Sequence, residues 1–398
     1  MGLRRVLTIV GVGVTFLVAG AVGAPAATLA NPVGASPADT QYVPNIYSGV
    51  SAASADDVWA VGNTVDDEDV AHALIKHWNG QRWTRTPGPD VSDRADLYLN
   101  DVAAIAPDDA WAVGDRLNEG ASLVARWNGT SWRLVASPQP GTYTSLQSVF
   151  ATSATDVWAA GSYGPSKIAA ERPLLLHWDG QSWQRVPDDS HGVGYSARAY
   201  GVTATGPSDA WMVGVSQKHS YSSAQTFVEH WDGVAWTRVK SPNPSGGNNY
   251  LEAVSASSPT DVWAVGWFDG FLSSTKPLSM HWDGQRWQRV LMQHRRRPVV
   301  YVHAISAEVP SQVWAVGQKF YAGGNGYRSA AQRWDGDHWQ TYRSENPAGF
   351  QQTVLRAVSF ASEADGWAVG NYDKVGGRVV PLIERWDGTR WNRVDEGG

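Results

Sequence analysis

Asp261-Val262-Trp263-Ala264-Val265-Gly266, followed by Trp282-Asp283-Gly284-Gln285-Arg286-Trp287, is the stretch that decides the fold. Its first half recurs, with small variations, around Trp59, Trp111, Trp158, Trp211, Trp263, Trp314 and Trp367, at intervals of 52, 47, 53, 52, 51 and 53 residues. The second half recurs at Trp78, Trp127, Trp178, Trp231, Trp282, Trp334 and Trp386, each followed by Asn-Gly or Asp-Gly. A third tryptophan stands five residues further on, at Trp83, Trp132, Trp183, Trp236, Trp287, Trp339 and Trp391. Of the 22 tryptophans only Trp267 lies outside these three sets. A period near 50 residues is the length of a β-propeller blade, so seven copies predict seven blades.

Blade five shows how one repeat is built. Leu251 to Ala256 alternates as a strand, and Ser258-Pro259-Thr260-Asp261 reads as a turn. Val262 to Val265 forms a second strand ending at Gly266, Leu278 to Trp282 a third, and Gln285 to Val290 a fourth. Asp283-Gly284 reads as a two-residue hairpin turn with positive φ at both positions. That geometry would make Trp282 and Trp287 diagonal neighbours facing the next blade, with His281 and Arg286 on the other face. The expected fold is therefore all-β, a seven-bladed β-propeller with four antiparallel strands per blade. The blades fall near residues 45–87, 97–138, 145–187, 198–242, 250–291, 299–343 and 353–395, inside a propeller of 45–398.

Ahead of the repeats, Arg4 and Arg5 precede an uncharged stretch from Val6 to Gly23 and small residues through Ala30. This is the pattern of a secretory signal peptide over residues 1–30, cut after Ala26 or Ala30, with 31–44 as a linker, and an uncleaved membrane anchor is the competing reading. The expectation is a secreted protein with no stable membrane insertion after cleavage. Loss of the two arginines takes the formal charge from −6 to −8, which argues against nucleic acid as a partner. The absence of cysteine excludes disulfides and thiolate chemistry, and no metal or cofactor is expected.

The Asp-Gly-x-x-Trp turn resembles the Asp-box of sialidase-like propellers in layout, although it is one residue shorter and lacks the leading Ser or Thr. The whole repeat is similar to that of the seven-bladed sugar-binding lectins of bacteria, whose blades carry an aspartate, aromatic and glycine strand followed by Trp, a Gly turn and Trp. The resemblance covers residues from about 45 to 395. It implies a bacterial secreted propeller of that broad kind. The longer loops between second and third strands depart from those lectins, so their sugar-pocket positions do not carry over.

Seven copies act as internal controls, because what every blade has is explained by the blade. Asp57, Asp109, Asp156, Asp209, Asp261 and Asp365, with Gln312 in the sixth blade, read as turn caps. His77, Arg126, His177, His230, His281, Arg333 and Arg385 precede the second tryptophan, and the mixture of His with Arg suits hairpin hydrogen bonding rather than a metal ring. The constant glycines after the first tryptophan imply a kink or a close backbone approach. Arg85, Arg185, Arg238, Arg289 and Arg393 read as charged protection of an outer edge.

What varies lies in the loops between strands two and three and between blades, both opening on one face of the disc. Those loops are rich in aromatics, carboxylates and amides, which suits sugar rings. The residues singled out for ligand binding are Trp267 as an exposed stacking platform, with Asp269, Tyr321 and Tyr327 beside it. Asp66-Asp67-Glu68-Asp69 has oxygens enough for Ca²⁺ but not the spacing of a known loop, so solvated charge is favoured. His294 to Arg297 is a basic run suited to an acidic polymer or to balancing the acidic loop. No hydrolase elbow, phosphate loop or paired zinc histidines appears, and catalytic residues stay unknown. Three functions remain open: an extracellular glycan-binding module acting as a monomer, a protein-docking scaffold, and a carbohydrate-active enzyme, either a glycoside hydrolase or a polysaccharide lyase. Asp90, Asp93, Glu119, Glu171, Asp269 and Asp373 are candidate acids for the last.

Overall fold

The computed structural model describes residues 45–91, 96–166, 171–187, 195–218, 222–269, 275–292, 299–309, 312–320, 326–347, 349–375 and 377–395. The signal and linker segments, Tyr321 and the run from His294 to Arg297 lie outside these. The described chain forms seven sheets of four antiparallel strands, each sheet taking its strands in sequence order from one continuous segment. In blade five the strands are Asn249–Ser258, Asp261–Phe268, Lys276–Trp282 and Trp287–Val290. First strands of successive blades touch one another all the way round, including blade seven against blade one. They are the inner wall. Because Asn249 pairs with Phe268, the start of the first strand and the end of the second share one rim, so both kinds of variable loop open there.

Tryptophan packing holds the blades together. Each first-set tryptophan is at most 3% exposed and meets the hairpin pair of the following blade. Trp59 lies 5.0 Å from Trp127 and 5.2 Å from Trp132, the second contact edge-on at 90°. The hairpin tryptophans thus face the preceding blade, the reverse of the direction expected from sequence. The same contact closes the ring, with Trp367 of blade seven 5.1 Å from both Trp78 and Trp83 of blade one. A belt of hydroxyls runs alongside. Ser51 Oγ accepts the backbone N–H of Ala104, Ser255 that of Ala307, and Ser359 that of Ala52, the last spanning the closure.

The hairpin turn also differs from expectation. Trp282 and Trp287 are direct cross-strand partners, and four residues lie between them. Asp283 Oδ1 accepts the N–H groups of Gln285 and Arg286, both at 2.9 Å. Only Gly284 takes positive φ, at 87°. The side chain of Asp supplies what a backbone turn would have to, so Asn or Asp is needed there without the left-handed conformation. In consequence Arg286 belongs to the turn, and Gln288 is the residue opposite His281.

The repeated Asp and His/Arg prove to be two ends of one contact. His281 Nε2 lies 2.7 Å from Asp261 Oδ1 while its ring stacks on Trp263 at 4.4 Å, and Ser257 donates to the other carboxylate oxygen. The His281 hydrogen bond holds Asp261 below the usual carboxylate range, against the opposing effect of burial. Arg126 replaces the histidine in blade two, donating from Nε to Asp109 Oδ1 at 2.7 Å, with its guanidinium over Trp111 at 4.9 Å. The outer-strand arginines do more than guard an edge: Arg238 and Arg289 lie over Phe227 and Phe268 at 4.5 and 4.7 Å.

The constant glycines have a single steric cause. A Cβ on Gly266 would sit 2.1 Å from the carbonyl oxygen of Tyr250, and its six counterparts meet the inner strand at 1.8 to 2.1 Å. Beside each of them the inner strand carries an extra residue, in blade five Glu252, skipped between Leu251 and Ala253 in the register. Gly266→Ala should therefore cost about 1–3 kcal/mol through overpacking against backbone. Gly246→Ala, where a Cβ would meet nothing within 4 Å, is the control. Equal melting temperatures for the two variants would contradict this account of the glycines.

Candidate functional site

Seven bulges place seven side chains on the channel wall. They are Ser48, Asn100, Gln147, Tyr200, Glu252, His303 and Arg356, one per blade, each skipped in its strand register. Together they line a central cavity of about 240 Å³. All are polar, and no two are alike. In a chain whose blades otherwise repeat so closely, this is the position at which the repeat is broken systematically. Each stands eleven residues before its first-set tryptophan, so a fixed offset in the sequence marks the ring. The signal was there to find, although attention to the loops passes over it because the flanking residues look like ordinary strand.

The ring has two unlike halves. Ser48, Asn100 and Gln147 are neutral. Asn100 Nδ2 donates to Asp115 Oδ2 at 3.1 Å and to the carbonyl of Leu146 at 2.7 Å, and Gln147 Nε2 donates to Ser145 Oγ at 2.6 Å. The opposite arc, across blades four to seven, is titratable. Burial raises the Tyr200 hydroxyl, with the neighbouring Arg198 opposing the shift. Arg198 is itself held by Glu171, Nε to Oε2 at 2.6 Å. Glu252 accepts from Trp267 Nε1 on Oε1 at 2.6 Å and meets His303 Nδ1 on Oε2 at 2.6 Å. His303 Nε2 is buried without a hydrogen-bond partner among the described residues. Arg356 donates from Nε to Asn371 Oδ1 at 3.0 Å. Burial lowers Arg356, while the charges of Glu252 and Asp373 act the other way. One residue along the wall, burial raises Asp101 to about 6 despite hydrogen bonds from Val149, Val102 and Ser148.

Trp267 is not the exposed platform expected of it. It is 2% exposed, stacked on Tyr250 at 4.2 Å and edge-on to Tyr301 at 5.6 Å. The reason is its place on the second strand, opposite Tyr250 and Pro277, where its indole fills the space between blades and its N–H fixes Glu252. Tyr327 joins the same cluster, 6.2 Å from Tyr301 and 5.3 Å from Phe320. Asp269 closes its own loop, accepting the Asn248 N–H at 2.8 Å, and its charge reaches Tyr250 and Tyr301. Three of the four residues singled out are thus brought around Tyr301; Tyr321 lies outside the described residues.

The other candidates are occupied locally. Asp66 accepts the N–H groups of Glu68 and Val70 and pairs with His72 at 2.7 Å, which makes it a loop cap. Glu119 pairs with Arg116 at 2.8 Å and Glu171 with Arg198. Asp90 is exposed, Asp93 lies outside the described residues, and Asp373 is reached from the ring through Asn371 Nδ2 at 3.3 Å.

No protein-family model and no curated protein matches the chain. Solved propellers do. YCF48 bound to D1 peptide superposes with a TM-score of 0.51 at 17% identity, covering 87% of this chain and 92% of that one. The GH74 xyloglucanase from Xanthomonas campestris gives 0.56 at 13%, covering 87% and 55%. An ulvan lyase of a polysaccharide lyase family, bound to -[GlcA(1-4)Rha3S]-, gives 0.55 at 9%, covering 85% and 92%. At such identities the likeness is one of fold.

Proposed function

We propose that this protein is a secreted, monomeric binding module for an extracellular glycan, which lies on the loop-rich face with one residue inserted into the channel mouth. The observation that carries this reading is the bulge ring: seven equivalent positions with seven different polar side chains. A set of dissimilar donors and acceptors around one small cavity suits a ligand with hydroxyls pointing in several directions. The cavity of about 240 Å³ is smaller than the roughly 300 Å³ at which drug-sized pockets begin, so it takes one ring or one substituent. Polysaccharide-acting propellers among the structural neighbours are consistent with a sugar on such a face.

A glycan array followed by calorimetry tests it. Gln147→Ala and Tyr200→Phe should each weaken the selected glycan about two- to tenfold, the worth of one hydrogen bond, with little change in melting temperature. Failure of the wild type to bind any glycan would reject the reading. The Glu252–His303 pair favours one second reading, because a carboxylate-paired imidazole on a cavity wall is an arrangement used in proton transfer. Conversion of the bound glycan to product would establish the enzyme.

A further inference from the structure

The most unusual group in the channel is Arg356. A cation on a largely enclosed wall ordinarily has a carboxylate against it, and two carboxylates are near enough for their charges to act on this one. Both are committed elsewhere. Glu252 has one oxygen on the Trp267 N–H and the other on His303. Asp373 is separated from the guanidinium by Asn371, which takes Arg356 Nε on its Oδ1 and donates from Nδ2 to Asp373 Oδ1. Among the described residues only Nε of Arg356 makes a hydrogen bond, so the two terminal nitrogens have none. Asn371 thus holds the guanidinium at Nε, and Arg356 is among the residues that line the cavity.

We propose that Arg356 is the specificity residue for a carboxylate-bearing sugar, a uronic acid residue whose planar carboxylate docks on the terminal nitrogens in a bidentate pair. The inference rests on the glycan-binding reading and names the class of glycan. A guanidinium held through Nε presents the remaining donors in the spacing that a carboxylate matches. The hydroxyls of the same ring meet neutral groups across the channel, Asn100 and Gln147. The ligand also relieves the site, since it supplies the counter-charge that the fold withholds from Arg356. An acidic surface elsewhere does not create this preference, because repulsion from a net charge of −8 in the mature chain acts over the whole molecule and Arg356 acts at one atom pair.

The test uses the full mature chain and three probes: a uronic acid oligosaccharide, the same oligosaccharide with its carboxyls reduced to alcohols, and an oligosaccharide of uncharged sugars carrying O-sulfate as its only charged group. Calorimetry on the wild type should show the uronate bound at least tenfold tighter than its reduced counterpart. Arg356→Gln should bring that ratio to near one, with the uronate losing far more affinity than the reduced form, and Arg356→Lys, which keeps the charge but not the fork, should fall between. Circular dichroism and melting of both variants verify that the ring is intact. Equal binding of acidic and reduced forms by the wild type overturns the role of Arg356 yet leaves glycan binding standing. Preference for the sulfated probe overturns the carboxylate assignment. Failure to bind any of the three, when an array finds another glycan, overturns the proposal alone, and failure across the array overturns both readings.

Discussion

Replacing Trp111 by alanine is expected to destabilise the ring by about 3–5 kcal/mol, the usual range for deletion of a core aromatic. Trp111 is fully buried, 4.9 Å from Trp178 and 5.2 Å from Trp183, with the Arg126 guanidinium 4.9 Å above it. Its removal leaves two indoles and a cation facing a void that neighbouring β-strands cannot close without breaking their ladders. Trp367→Ala should cost the same within error, since Trp367 makes the equivalent contacts with Trp78, Trp83 and Arg385 across the closure. Urea unfolding of the two variants side by side gives the comparison. A markedly smaller loss at Trp367 would mean that the closing interface is weaker than the others.

The second large effect is a dependence on pH. Glu384, on the third strand of blade seven (Val379–Trp386), is fully buried; Oε1 accepts from Ser344 Oγ at 2.8 Å and Oε2 has no partner among the described residues. Burial pushes its carboxyl up to about 8 from an ordinary 4.5. Below the unfolded value both states are protonated and there is no cost. As pH rises through 4.5 the unfolded chain ionises while the folded chain keeps its proton, and stability falls until the folded group ionises near 8. The loss should approach about 5 kcal/mol. Glu384→Gln keeps an acceptor for Ser344 and has no proton to lose. The variant should match the wild type below pH 4 and exceed it increasingly toward pH 8. Stability curves that stay parallel across that range would show that Glu384 is ionised in the folded protein.

How far the sequence could be read depended on whether a feature acts within its own repeat. Blade number, strand order and the burial of the first and third tryptophan sets follow from local alternation and a period and are found, whereas Trp127, Trp231, Trp282 and Trp334 of the second set are only half-buried. The direction in which the hairpin tryptophans face is set by the twist and tilt of whole blades, which periodicity does not contain, and it was reversed. A position outside the repeat, such as Trp267, suggests an exposed indole, yet a residue that breaks a pattern can equally fill a gap that its own neighbours create, here between Tyr250 and Tyr301. The bulge ring is hard to read in the sequence for a different reason. A skipped residue in a strand register depends on the partner strand, so the fixed offset and the constant glycine facing it mark the position without showing that its side chain enters the channel.

The closure between Trp367 and the Trp78–Trp83 pair has one more consequence. Propellers whose first and last segments share a blade have a privileged seam, at which cutting the chain would tear a sheet. This ring has none, since every blade is woven from a single stretch of chain. The place where the polypeptide starts and stops is then an accident of numbering on a circle, and the gene for this fold could be rotated by whole repeats and still specify the same object.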